Sequence, residues 1–305
     1  MRIDSNPTIC PKCGNEQRGG DSCAACGIIF AKFRRRQEPA SIITLDHSND
    51  GRAYLPWLRG VQLLALLSLG ALIVSCQHKD ELPQAGLYDP AYLADPVQSA
   101  TAEPPFRIEA GEQRYLIKPI QDYRLQGVVV SFHDADSWWD IYHHASWQDY
   151  LNTRDICVIW GGNITSGVYQ AMTFENTTWT CWASWPDAHS GARFSMLQLS
   201  NNHLLTENPY INEQIKSAEI GDQVYLEGHL AAYANLQNGF TRGTSTRRDD
   251  TGNGACETIY VNRFEIVRKA NRGWRLGYSI TKAVLIVSLI LLPILLLKTP
   301  VDNRH

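Results

Sequence analysis

Trp57–Cys76, WLRGVQLLALLSLGALIVSC, is the stretch on which the fold of this chain turns. It carries one charge, Arg59, and is otherwise almost wholly apolar. A helix of this length rises about 1.5 Å per residue and reaches roughly 30 Å, the thickness of a bilayer's hydrocarbon core. The run starts more than fifty residues after Met1, too late for a secretory signal peptide. Ile73-Val74-Ser75-Cys76 matches a lipoprotein cleavage box, but so late a run reads as an uncleaved anchor. A second apolar run, Tyr278–Leu297, has Ala283–Leu297 as its centre, Trp274 and Tyr278 at one interface and Lys298 at the other. The expected spans are 57–76 and 276–297, leaving a tail at 298–305.

Outward from the first span, charge sets the orientation. Arg34-Arg35-Arg36, Arg52 and Arg59 lie before it or at its start, while Lys79 after it is followed by Asp80 and Glu81. The positive-inside bias keeps both termini in the cytoplasm and sends the loop outward. Arg268, Lys269, Arg272 and Arg275 pull the other way, but the first span usually dominates and long loops translocate largely regardless of charge. The expected location is a bacterial inner membrane, with the lipid bilayer as one partner. Over the 305 residues the net charge is −3, which argues against nucleic acid as another.

The 8 cysteines divide unevenly. Cys10-Pro-Lys-Cys13-Gly14 and Cys23-Ala-Ala-Cys26-Gly27 are two C-x-x-C knuckles that present four thiolates to one tetrahedral Zn²⁺. Four thiolates leave no open coordination position, so the ion is structural, and so small a unit folds only with its metal. The segment, through Ile28-Ile29-Phe30-Ala31-Lys32-Phe33, resembles the short zinc ribbons at the start of many bacterial proteins. The resemblance implies a metal-binding unit over 1–33 and says nothing of activity; a polar linker over 34–56, beginning Arg34-Arg35-Arg36, follows.

Residues 77–105, rich in Pro, Ala, Asp and Gln, read as a flexible tether. From 106 to 270 the pattern is β-like. Tyr123–Phe132, Asp155–Trp160, Thr178–Trp182, Gln223–Gly228 and Glu257–Val261 are short β-branched or aromatic runs. Two pieces are expected to be helical, Asp136–Leu151 and Asn208–Ala218. Gly221–Gly228 resembles the stretch entering a strand of small OB-like barrels. The expected fold class is a multi-domain membrane protein: a small zinc ribbon, two transmembrane helices, and between them a β-rich α+β domain, an OB-like barrel or a sandwich. The plan resembles membrane ubiquitin ligases that carry a domain between two spans and a zinc module at one end. Here the module is N-terminal and has four cysteines, not the eight ligands a RING needs, so ligase activity is not implied.

Three polar stretches in the loop domain are candidates for chemistry. If the fold joins Ser200–His203, Arg242–Arg248 and Asp249–Glu257, His203 deprotonates Cys256, Asp250 or Glu257 orients the ring, and Arg242 or Arg247 holds an anionic group. That would make the protein a membrane-tethered hydrolase. The blander account has Gly252 and Gly254 in a hairpin loop and Arg247 paired with Asp249 or Asp250. Asp250-Thr251-Gly252 lacks the apolar strand an aspartic protease needs before it, and Tyr260 stands where a calcium loop needs Glu. Cys157 and Cys181 lie on neighbouring expected strands and can bridge in an oxidising compartment, with Cys256 as the alternative partner. His133, His143 and His144 form a weak metal pattern, since adjacent histidines on a helix face different ways. The leading expectation is a non-enzymatic envelope protein whose ribbon or loop domain binds a partner.

Overall fold

The computed structural model describes residues 7–37, 51–250 and 255–299. They belong to two compact units, one drawn from the chain up to Arg59 and from Pro293 onward, the other from Gly60–Leu292. In the first, β1 (Thr8–Ile9) pairs antiparallel with β2 (Glu16–Gln17), Ser22 bridges Ile29, and α1 (Phe30–Gln37) follows. The linker expected from residue 34 therefore begins inside a helix.

α2 (Leu55–His78) and, near the other end, α6 (Arg272–Lys298) are 24 and 27 residues long, both long and apolar enough to cross a membrane. Most of their apolar side chains face outward: Leu66 is 67% exposed and Ile290 59%. A helix of a soluble core would bury that surface at roughly 25 cal/mol per Å².

Between the helices lie β3 (Val97–Ala100), β4 (Phe106–Ala110), β5 (Gln113–His133) and β6 (Asn152–Ile159). Next come α3 (Gly162–Thr165), β7 (Thr173–Asn176), β8 (Cys181–Ser184) and α4 (Ala188–Arg193). β9 (Leu199–Leu205), α5 (Pro209–Lys216), β10 (Gln223–Asn235), β11 (Thr241–Arg242) and β12 (Glu257–Arg268) complete the unit. Pairings run β5–β6–β9–β12–β10 and return from β10 to β5, all antiparallel except β9 with β12. The 21-residue β5 serves both ends of this path: Tyr115–Val128 pair with β10 and Val128–His133 with β6. β3 and β4 add to its free edge, β11 adds to β10, and β7–β8 is a separate hairpin.

Alternation along these strands separates two faces. Leu125, Val129, Ile156, Val158, Leu204, Leu226 and Ile259 form the main core, closed by Ile215 of α5. Val128, Val130, Cys157 and Ile159 point the other way, against Ile164, Tyr169, Cys181 and Phe194. Register shifts let both faces be apolar, as where Val130 has no partner between the Val129–Val158 and Ser131–Cys157 pairs. Cys157 and Cys181 are joined as a disulfide, Cα to Cα 5.9 Å. α5 starts where its cap dictates: Asn208 accepts from the amides of Tyr210 and Ile211, with Pro209 in the first turn.

Two expectations are corrected. Residues 136–151 form turns, not a helix. The carboxylate of Asp140 takes the amides of Tyr142 and His143, and Gln148 has φ 51°. Local side-chain acceptors thus outbid the helical ladder. The tether is also structured: 3-10 turns at Ala85–Leu87 and Pro90–Tyr92 and strand β3 occupy much of 77–105, with Tyr88 and Leu93 buried. Gln223, fully buried, ties this segment down by bonding both the amide and the carbonyl of Asp89.

Where the helices meet the domain, Arg275 donates to buried Asp222 (2.7 Å) and to the carbonyl of Ile220 (2.7 Å). Asp222 also accepts the amide of Ala270 (2.8 Å), and Asn271 reaches the carbonyls of Lys79 and Glu81. His78 stacks on Trp274 at 4.7 Å. The strand ring is thereby clamped to both helix ends.

Candidate functional site

Each knuckle of the N-terminal unit makes the same turn. The amides of Gly14 and Gly27 bond the carbonyls of Cys10 and Cys23 (2.9 and 2.8 Å), and both glycines sit near φ +70°, a conformation a side chain would strain. The four sulfurs lie within 4.8 Å of one another, Cys10 to Cys26 and Cys13 to Cys23 at 3.6 Å. A tetrahedral ion with bonds of about 2.3 Å to sulfur needs edges of about 3.8 Å, so the cluster fits one metal ion. Its thiols also resist joint ionisation. Burial would raise Cys23, but the amides of Cys26 and Ala25 and the neighbouring thiols hold it down to about 6. Although the amide of Asn15 opposes it, crowding by the other thiols pushes Cys13 up to about 12. A cation supplies the compensation the array lacks.

The second candidate lies on the β6–β9 face turned away from the main core. Asp155 and His203 are cross-strand partners there, as are Cys157 and Asn201 two residues along. Asp155 is fully buried and His203 3% exposed, with Nδ1 2.7 Å from the carboxylate. The contact is short, yet among the described residues neither Nδ1 nor the second carboxylate oxygen has an aligned hydrogen-bond partner; charge holds the pair. Burial works against both ions. Asp155 nonetheless lifts His203 to about 9, helped by a hydrogen bond that the protonated ring donates to the Cys256 sulfur, and His203 holds Asp155 below the usual carboxylate range.

Cys256 enters this face from the start of β12. Its sulfur lies 3.5 Å from the side-chain amide of Asn201 and 3.7 Å from the carbonyl of Trp179. The charge of Arg242 acts on Asp149, Asp155, His203 and Tyr233, and its Nη1 is buried without a hydrogen-bond partner among the described residues. The turns of 136–151 roof the face with aromatics. Trp147 lies 4.8 Å from Trp179 and stacks on Phe240 at 5.0 Å, and the His143 ring packs 5.3 Å from Trp147 and 5.4 Å from Trp179. Trp138 and Trp139 beside it are 77% and 73% exposed.

The sequence-level candidates separate here. His203, Cys256 and Arg242 come together. Glu257 does not join them, because β12 alternates: Glu257 is opposite Asn202 and faces the ring interior, paired with Arg248 at 2.6 Å. Burial beside that pair raises its carboxyl to about 7. Asp250 accepts from Ser245 instead. Arg247 is exposed and pairs with Asp249 at 2.9 Å. The acid beside His203 is Asp155, which the sequence offered only as the first residue of the strand-like run Asp155–Trp160. A carboxylate two residues from a cysteine in an otherwise apolar strand was the signal. Thr251, Gly252, Asn253 and Gly254, on which the hairpin, aspartic-protease and calcium readings fell, lie outside the described residues. No protein-family model matches the chain, and a comparison with curated proteins finds no match.

Proposed function

We propose that this chain is a two-span inner-membrane protein in which a cytoplasmic, zinc-bound ribbon and an extracytoplasmic OB-like domain each bind a partner. The pairing path supports the OB-like reading. Counting β5, β6, β9, β10 and β12 as five strands in chain order, neighbours run first, second, third, fifth, fourth and back to first. The third and fifth are parallel, and α5 lies between the third and fourth. Small barrels of this kind present one sheet face and its loops to ligands. Zn²⁺ is the ion that four thiolates at this spacing select, and their closure reserves it for structure. The disulfide supports an oxidising location for the domain.

The observation that carries the binding reading is the β6–β9 face itself. It combines buried polar atoms without a hydrogen-bond partner among the described residues (Arg242 Nη1 and Asp155 Oδ2) with an aromatic roof and, in the same turn segment, the exposed Trp138 and Trp139. Buried polar atoms are normally satisfied, and aromatic clusters beside polar groups are typical of recognition sites. In-cell photocrosslinking tests it. A benzophenone residue at Trp138 or Trp179 should give discrete adducts that the same residue at Tyr225 does not; equal labelling from all three positions would overturn the reading.

One observation favours a second reading, the hydrolase. Cys256, His203 and Asp155 stand in the order nucleophile, imidazole, orienting acid. In that order His203 would take the Cys256 thiol proton as the sulfur attacks an acyl carbon and return it to the leaving group. Iodoacetamide alkylation of Cys256 at pH 7 should then slow at least tenfold in His203→Gln; an unchanged rate removes this reading.

A further inference from the structure

We propose that His133, Asp140 and His143 form a second metal site, one that takes a divalent transition ion and leaves it an open coordination position. The site is separate from the four-cysteine cluster and does not depend on either reading of the β6–β9 face. Two imidazoles converge on one carboxylate oxygen: Asp140 Oδ2 is 2.7 Å from Nε2 of His133 and 2.8 Å from Nδ1 of His143. The three ligand atoms lie within 4.8 Å of one another. Two nitrogens and one oxygen suit Zn²⁺ or a neighbouring divalent ion, and three protein ligands leave the fourth position for water or a ligand.

The ligands are held before any ion arrives. His133 closes β5, opposite Asp155 of β6. The other oxygen of Asp140 is fixed by the amides of Tyr142 and His143, both at 2.9 Å, which leaves Oδ2 for the imidazoles. The loop is pinned at its root, where Asp134 meets Arg154 at 2.7 Å and Lys216 at 2.9 Å, and at its end, where the amide of Asp149 bonds the carbonyl of His143 at 2.9 Å. Metal sites use such outer bonds to orient their ligands.

A metal-free hydrogen-bond array explains His143 less well. Its ring is fully buried, and Nε2 has no partner among the described residues. If Nδ1–H donates to Asp140 from a neutral ring, Nε2 is a bare lone pair enclosed beside aromatic rings, the nearer being Trp147 at an interplanar angle of 72°. With an ion on the Nδ1 lone pair, Nε2 carries the proton, and aromatic faces tolerate an N–H far better than a lone pair. Bonds of about 2.0–2.1 Å place ligand atoms roughly 3.3 Å apart, so a small turn of the Asp140 side chain admits the ion.

The test is metal stoichiometry of the full chain in detergent, after Zn²⁺ loading and desalting. Two equivalents are expected in the wild type, and one in Asp140→Asn and in His133→Ala. Loaded with Co²⁺, these variants should keep the thiolate charge-transfer band and lose part of the d–d absorption. Cys13→Ser should do the converse, losing the thiolate band and keeping one equivalent. The mobility shift of the Cys157–Cys181 disulfide on reduction reports that each variant is folded. A single equivalent in the wild type, abolished by Cys13→Ser, overturns the proposal without recourse to any loop variant. So does a second equivalent that survives both Asp140→Asn and His133→Ala.

Discussion

His203 and Glu257 carry pKa values raised to about 9 and about 7 from ordinary values of 6.5 and 4.5. A group that binds its proton more tightly when folded stabilises the fold fully below its ordinary value and loses that contribution as pH rises to the folded one. Stability should therefore fall from pH 4.5 to 7 through Glu257, and from 6.5 to 9 through His203. Asp134 and Asp155, held below their ordinary value, lose their contribution in acid. Thermal midpoints across pH 3–10 should peak in mild acid, and His203→Gln should flatten the limb between pH 7 and 9. A wild-type midpoint that rises over that limb contradicts the pair geometry. For the four-cysteine cluster, Cys13→Ser should abolish metal binding by residues 7–37, read by metal analysis; retention defeats a four-thiolate site. At this scale the sequence told much about ligands and little about partners. Two C-x-x-C knuckles are local, so spacing alone exposes them. Asp155 and His203 are 48 positions apart in the chain (203 less 155) and meet only through strand register. Placing Glu257 beside His203 failed for the same reason: one residue along β12 reverses the face.

Among the elements, the β10–β12 ladder makes the sharpest demand. A Cβ on Gly228 would lie 2.0 Å from the carbonyl oxygen of Tyr260, where β10 shifts register against β12. Gly228→Ala should cost about 3 kcal/mol or more, the upper range for overpacking. Gly243→Ala, with nothing within 4 Å, should change stability by less than about 0.5 kcal/mol. Urea midpoints of the two variants check this, and equal midpoints would contradict the register. The Asp222–Arg275 clamp is the other element-level test. Arg275→Ala strands a buried carboxylate and should cost about 3 kcal/mol, seen as faster proteolysis between residues 77 and 96; an unchanged cleavage rate would show that the clamp is not needed. Long apolar helices and β-branched runs were legible because their periodicity is local. The turns of 136–151 were not, because Asp140 satisfies amides that a helix would have used. Nor was the order in 77–105, which rests on Gln223 more than a hundred residues away.

For the molecule as a whole, two helices long and apolar enough to cross a membrane flank a clamped, disulfide-bonded strand ring, and the proposed function requires that ring to face the outside. An exposed residue of the aromatic roof reports this directly. In a Cys76→Ser, Cys256→Ser background, Trp138→Cys should react with a membrane-impermeant maleimide added to intact cells, in full and without permeabilisation. Labelling that appears only after the membrane is opened would contradict the account.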